Sequence, residues 1–206
     1  MRRETSGSRR GQVVMFTPDQ IAASGSPTPT ITRNGLNGPQ GLAFDATGNL
    51  WVAAKDDLAV VRIDAAHLTT SGSGGDLSIT ASGTNNLTLQ PVGLAFDAAG
   101  NLWVNYDGTI ASITPTEQTG TGTKTIAPAI QITTDVNVRV YGIAFDQDGG
   151  LWLAQDVGKF ARFDAAQLTA SNSAAPATII TSDFLYATWF AIYPAPANLP
   201  LFHRVP

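Results

Sequence analysis

A twelve-residue phrase occurs three times in this chain and constrains everything else that it can fold into. It reads Gly41-Leu42-Ala43-Phe44-Asp45-Ala46-Thr47-Gly48-Asn49-Leu50-Trp51-Val52. It returns as Gly93-Leu94-Ala95-Phe96-Asp97-Ala98-Ala99-Gly100-Asn101-Leu102-Trp103-Val104, and again as Gly142-Ile143-Ala144-Phe145-Asp146-Gln147-Asp148-Gly149-Gly150-Leu151-Trp152-Leu153. The spacings are 93 − 41 = 52 and 142 − 93 = 49 residues. A period near 50 means a solenoid, a propeller or an array, in which each unit leaves apolar surface that only its neighbours can cover.

Each phrase reads as strand, tight turn, strand. Leu94 and Phe96 point one way and Ala95 the other, the period of an extended chain. Asp97-Ala98-Ala99-Gly100-Asn101 is a turn: Asp opens it and Gly takes the positive φ that follows. Both strands are apolar on both faces, so layers lie above and below them. A second half follows in each repeat, with a third strand, a capped helical turn and a fourth strand. Thr17, Asp64, Thr114 and Asp164 stand at N-cap positions. Pro18 and Pro115 occupy the first helical position. Gln20, Glu117 and Gln167 lie three residues beyond the caps, as a capping box requires.

Four strands in about 50 residues make one blade of a β-propeller. The expected fold is all-β, built from about four such repeats. A polar tail at 1–10 precedes an outer half-blade at 11–33. Blades follow near 38–83, 90–133 and 139–181, then a degenerate inner half-blade at 186–201, where Pro194, Pro196 and Pro200 remove ladder donors, and a tail at 202–206. Three arrangements stay open: a ring closed within one chain by circular permutation, an incomplete arc of a longer propeller, and an arc completed by a second copy. An open arc leaves blade edges for self-association.

Composition narrows the function classes. The chain is acidic, with net charge −4, and its Lys and Arg are scattered, so nucleic acid is an unsuitable partner. Cysteine is absent, which excludes disulfides and thiolate chemistry. No signal peptide follows the N-terminal arginines and no apolar run is long enough to span a membrane. The compartment stays open, since an export signal lost from a truncated start would place the protein outside the cytoplasm.

At Gly-Leu-Ala-Phe-Asp-x-x-Gly-Asn-Leu-Trp-Val the chain resembles the NHL-repeat propellers. It is also similar to the six-bladed group containing the gluconolactonase-like lactonases and the streptogramin B lyases. The resemblance covers roughly residues 11–181 and implies a propeller scaffold for binding or interaction. The lactonases of that group hold a divalent cation with Glu, Asn, Asn and Asp on the axis, and the lyases use axial His and Glu. Here the two Glu are Glu4, in the tail, and Glu117, in a capping turn. The two His are His67, on a capping turn, and His203, in the tail. The enzyme signatures are therefore unmatched.

The recurring Asp45, Asp97 and Asp146 read as turn caps rather than as a metal ring. Asp146-Gln147-Asp148-Gly149 lacks the distal ligands of a calcium loop. Trp51, Trp103 and Trp152 read as filling between blades, and His67 as a solvated surface side chain. The better candidates sit on loops that a four-stranded antiparallel blade gathers at one end: those after the second strand and those after the fourth, the latter including 33–37 and 134–137. They give a ligand-binding set of Lys55, Asp56, Asn105, Tyr106, Asp107, Gln155 and Asp156. The expected function is a non-catalytic binding scaffold for a protein, peptide or glycan, without cofactor. The alternative is a member or fragment of a lactonase- or lyase-like enzyme using calcium or magnesium.

Overall fold

The computed structural model describes residues 10–82, 90–106, 108–134, 138–156, 158–183, 187–188 and 190–192. Strands β1 (Arg10–Met15) and β2 (Ile31–Asn37) form a half-blade. Blade 1 follows with β3 (Pro39–Phe44), β4 (Leu50–Ala54), β5 (Ala59–Ile63), the short β6 (Gly72–Ser73) and β7 (Leu77–Ala81). Blade 2 contains β8 (Pro91–Phe96), β9 (Leu102–Tyr106), β10 (Thr109–Ile113), β11 (Gly122–Ile126) and β12 (Ile130–Thr133). Blade 3 is β13 (Val140–Phe145), β14 (Leu151–Gln155), β15 (Lys159–Phe163) and β16 (Thr178–Thr181). Within each blade the four main strands pair antiparallel in sequence order, innermost to outermost. Among the described residues there is no α-helix, and no helix long and apolar enough to cross a membrane.

The blades stack face to face, and that stacking is the core. All five residues of β4 and of β9 are buried, so neither strand has a solvent side. Trp51 of blade 1 meets Phe96 of blade 2 edge-on, with ring centroids 6.4 Å apart. Trp103 of blade 2 meets Phe145 of blade 3 in the same way at 6.1 Å. Such T-shaped pairs set the positive ring edge against the negative face. The innermost strands come closest: a Cβ on Gly41 would sit 2.4 Å from the Val92 carbonyl oxygen, and one on Gly93 2.5 Å from that of Tyr141. Glycine at these two places lets one backbone lie directly on the next. Each inner strand also carries the same irregularity of register, between Pro39 and Leu42, Pro91 and Leu94, and Val140 and Ile143. These sheets, stacked by repeat, are β-propeller blades. The described residues form an arc, in which the half-blade packs on blade 1, blade 1 on blade 2 and blade 2 on blade 3. No described strand of the half-blade forms a packed interface with blade 3.

The hairpin turns hold the indoles in place. Asp45 accepts from Trp51 Nε1 at 3.0 Å, from the Thr47 and Asn49 backbone N–H groups, and from Asn49 Nδ2. Asp97 repeats the set with Trp103 Nε1 at 2.9 Å, and Asp146 accepts from Trp152 Nε1 at 2.8 Å. The fourth turn position is Gly48, Gly100 or Gly149, with φ of +85°, +83° and +76°, where a side chain would be strained. The Asp carboxylates are thus occupied as caps. The capping boxes form as well: Thr17 with Gln20, Thr114 with Glu117, and Asp164 with Gln167. At the remaining copy, the second in chain order, the box differs. His67 Nδ1 lies 2.8 Å from Asp76 Oδ1, and the other oxygen of Asp76 accepts the Asp64 backbone N–H. His67 is therefore paired rather than merely solvated.

The loop expected at 33–37 is instead the end of β2. Ile31 and Arg33 are buried in alternation, and beyond a register shift Leu36 is buried again, as the apolar gap against blade 1 draws the strand onward.

Burial alone would push the Asp45 carboxyl up, but hydrogen bonds from Trp51, Thr47 and Asn49 outweigh it and hold the group below its ordinary 3.8. Asp146 is likewise raised by burial and lowered further by Arg162, the Gly150 N–H and Trp152. A carboxylate with a depressed folded pKa contributes stability above its unfolded pKa, and that contribution disappears as pH falls through the folded value. Urea unfolding is expected to show stability falling away below about pH 4. Asp45→Asn or Asp146→Asn should flatten that acid limb and lower stability at pH 7 by about 1.5–3 kcal/mol. Gly93→Ala, which drives a methyl into the next inner strand, is expected to cost about 2 kcal/mol or more in the same assay.

Candidate functional site

Register places the start of the inner strand, the end of the second, the start of the third and the end of the fourth at one end of each blade. In blade 2 these are Pro91, Tyr106, Thr109 and Thr133. In blade 3 they are Val140, Gln155, Lys159 and Thr181. The Asp-Trp turns lie at the other end.

The candidate residues divide into two kinds at this end. Some clamp the turn between the second and third strands to the segment entering the inner strand. The Lys55 N–H donates to the Gly38 carbonyl at 3.1 Å, and the Asp156 N–H to the Arg139 carbonyl at 3.0 Å. Asp156 Oδ1 also accepts the Arg139 N–H at 3.2 Å. In blade 1 the acceptor is Asp57, which takes the Asn37 N–H at 3.0 Å and Asn37 Nδ2 at 2.6 Å, while the adjacent Asp56 is exposed. Asp107 and the segment 135–137 lie outside the described residues.

The others are interior. Asn105 and Tyr106 are consecutive on β9 and face opposite gaps, so they do not share one rim. Asn105 is fully buried; its Nδ2 donates to the Val140 carbonyl of blade 3, and its Oδ1 has no partner. Tyr106 packs in the core between blades 1 and 2; its hydroxyl has no partner, and burial pushes the phenol well above its ordinary range.

Ala54, Tyr106 and Gln155 occupy the same place in the repeat, each at the end of the second strand. Tyr106 fills its gap. Gln155, 7% exposed, leaves a cleft of about 390 Å³ between blades 2 and 3. Thr134, Val138, Lys159, Phe163 and Ile179 line it with Gln155. Thr134 Oγ1 is buried beside it without a partner. Its volume lies within the usual range for small-molecule pockets, with an apolar wall and a few polar groups. Thr134 opens the candidate loop at 134–137 without having been singled out as a ligand-binding residue, and Lys159 lay outside the candidate loops. Lys159 was readable only as the first residue of the third strand, after the turn's left-handed residue, a place held by Ala59 and Thr109 in the other blades.

Larger clefts lie at the opposite end, one of about 550 Å³ between the Asp45 and Asp97 turns. Its charged groups are already engaged. Arg62 bonds Asp64 at 2.6 Å, the Gln118 carbonyl at 2.6 Å and the Gly120 carbonyl at 2.9 Å. Asp45 and Asp97 hold the tryptophans. Among the described residues no three His, Asp or Glu gather as a metal site.

Stacked blades with a loop-bearing end define a β-propeller scaffold. The chain is similar in structure to a catalytically inactive virginiamycin B lyase from Staphylococcus aureus with quinupristin, at 15% identity and a TM-score of 0.49, covering 71% of this chain and 42% of that one. A selenomethionine-substituted virginiamycin B lyase from Staphylococcus aureus gives 14% identity and a TM-score of 0.49, over 86% of this chain and 50% of that one. A streptogramin B lyase gives 16% and 0.46, over 71% and 41%. The chain spans half or less of the length of these proteins. No family model and no curated protein matches it.

A buried hydroxyl without a partner costs about 1–3 kcal/mol. Tyr106→Phe is therefore expected to raise the stability of the free protein by about 1 kcal/mol, measured as the urea midpoint at unchanged slope.

Proposed function

We propose that this chain is a non-catalytic binding module that takes a short peptide or glycan segment at the blade end bearing Gln155. The observation that carries the reading is the cleft between blades 2 and 3. A largely buried amide, an ammonium group and an unpartnered hydroxyl meet there on an apolar floor. Gln155 both donates and accepts, and Lys159 donates, so the site suits a ligand rich in carbonyl, carboxylate or hydroxyl oxygens. Phe163, Val138 and Ile179 suit its apolar part. Asp156 supports the site by fixing its turn, and Lys55 and Asp56 belong to the wider loop surface. Nothing in this reading requires a cofactor.

The test is titration of the ¹⁵N-labelled chain with two panels: mono- and disaccharides, and neutral, acidic and basic tripeptides. A binder is expected to move the Gln155 side-chain amide and the backbone signals of Thr134 and Lys159, and Gln155→Ala should abolish the shifts. Shifts confined to the Asp-Trp turns, or none across both panels, would count against it. Calcium or magnesium uptake lost in Asp156→Ala would favour the metal-dependent alternative.

A further inference from the structure

Every internal blade boundary carries the same edge contact, in which the outer strand of one blade is covered, in parallel, by the next blade's connection between its third and fourth strands. β6 of blade 1 lies on β2 of the half-blade, pairing Gly72 with Arg33 and Ser73 with Asn34. β11 of blade 2 lies on β7 of blade 1, from Gly122 against Leu77 to Ile126 against Ala81. In blade 3 the contact shrinks to Asn172 against Ile132. There the Asn172 N–H donates to the Gln131 carbonyl at 3.0 Å and the Thr133 N–H to the Asn172 carbonyl at 2.9 Å. A serine recurs beside two of the contacts: Ser71 Oγ accepts the Thr32 N–H at 3.1 Å, and Ser171 Oγ accepts the Gln131 N–H at 3.0 Å.

Two complementary halves of this contact are left over. One is β16, exposed along its whole length. Ile79, Ile132 and Ile180 hold one register position, opposite Val60, Ile110 and Phe160. Ile79 and Ile132 are 0% exposed under their covering segments, whereas Ile180 is 50% exposed and its neighbour Ile179 54%. The other half is Ser24-Gly25-Ser26 in the connection from β1 to β2, all exposed, which corresponds to Ser71-Gly72-Ser73. A Cβ on Gly72 would meet Arg33 at 2.2 Å, while one on Gly25 meets nothing within 4 Å. The half-blade is apolar on its outside as well, with Val14, Met15, Phe16 and Ile21 exposed.

We infer that a second copy of this chain covers β16, its Ser24-Gly25-Ser26 lying parallel to Thr178–Thr181 in the manner of the internal boundaries. Ser24 Oγ accepts the Ile179 N–H, Gly25 stands opposite Ile180, and the apolar side of the second copy's half-blade closes on blade 3. Both halves exist in one chain, but they lie at the two ends of the arc. The joint is head to tail, so it closes into a ring of copies or extends as a chain of them. It also removes an exposed apolar edge strand, which is otherwise an aggregation hazard.

The chain has no cysteine, so the double variant Ser24→Cys with Ile179→Cys reports the joint directly. Mild oxidation is expected to give reducible dimers and larger species, while sedimentation of the unsubstituted chain shows dimer growing with concentration. Gly25→Pro and Ile180→Lys, both at exposed positions, should each be monomeric with unchanged circular dichroism. Mixed in equal amounts they should recover a dimer, because one retains its edge and the other its covering segment. An intrachain disulfide in a compact monomer overturns the inference in favour of ring closure within one copy. So does an unsubstituted chain that stays monomeric to its solubility limit, association untouched by either substitution, or a mixture that remains monomeric.

Discussion

Strands β4 and β9 have no water-facing side, and the architecture follows from that constraint. A single sheet covered on one face would leave half of each strand in solvent, so every blade needs a blade on either side. Trp51 and Trp103 bring the largest side chains into those gaps, and each brings an indole N–H that cannot be left bare in a dry interior. The turn carboxylate resolves the conflict. Asp45 is partly removed from water, which disfavours its charge, but it receives an indole donor together with turn N–H and amide donors, and Asp97 receives the same set of donors. One residue therefore ties the local hairpin to the long-range stacking, and the glycines of the inner strands let the stack close to backbone distance.

This coupling explains which parts of the structure were legible in the sequence. Asp-x-x-Gly-Asn-Leu-Trp encodes a turn and its anchor within seven neighbouring residues, and the hairpins formed where the phrase stands. Thr17 with Gln20 and Thr114 with Glu117 are equally local, and those boxes are present. The covering strands β6 and β11 were invisible. Gly72, Ser73 and the run Gly122-Thr123-Lys124-Thr125 have no apolar alternation, and they are ordered by backbone bonds to a strand some 40 residues away in sequence. The extension of β2 through Leu36 escaped for a related reason: a short polar-and-glycine stretch reads as loop until a neighbouring blade offers a gap for one leucine.

The candidate site was legible in position and not in depth. Topology alone placed Lys55, Asn105, Tyr106, Gln155 and Asp156 at one end of the blades, and the registers agree on that placement. What topology cannot give is the direction of a side chain within a gap. Asn105 and Tyr106 are neighbours in sequence, so on a strand they must face opposite blades, and both enter the interior rather than a rim. Gln155 and Lys159 share a cleft because the chain reverses between them and pairs them across β14 and β15.

The two ends of the blades are under different demands. At the turn end the three copies repeat one solution, because the indole donor and the turn N–H groups are the same problem each time. At the other end the equivalent residues are Ala54, Tyr106 and Gln155: a small apolar group, a large one with an unmet hydroxyl, and an amide that leaves a cleft. Stability alone would favour an apolar filling at all three, since an unpaired buried polar group weakens the fold. Packing accounts for the uniform end and does not account for the variable one. That departure from uniformity, more than the size of any cleft, is the argument for the binding surface proposed above. The smaller cleft at Gln155 therefore outweighs the larger one between the Asp turns, whose arginine and carboxylates are already engaged in holding the blades together.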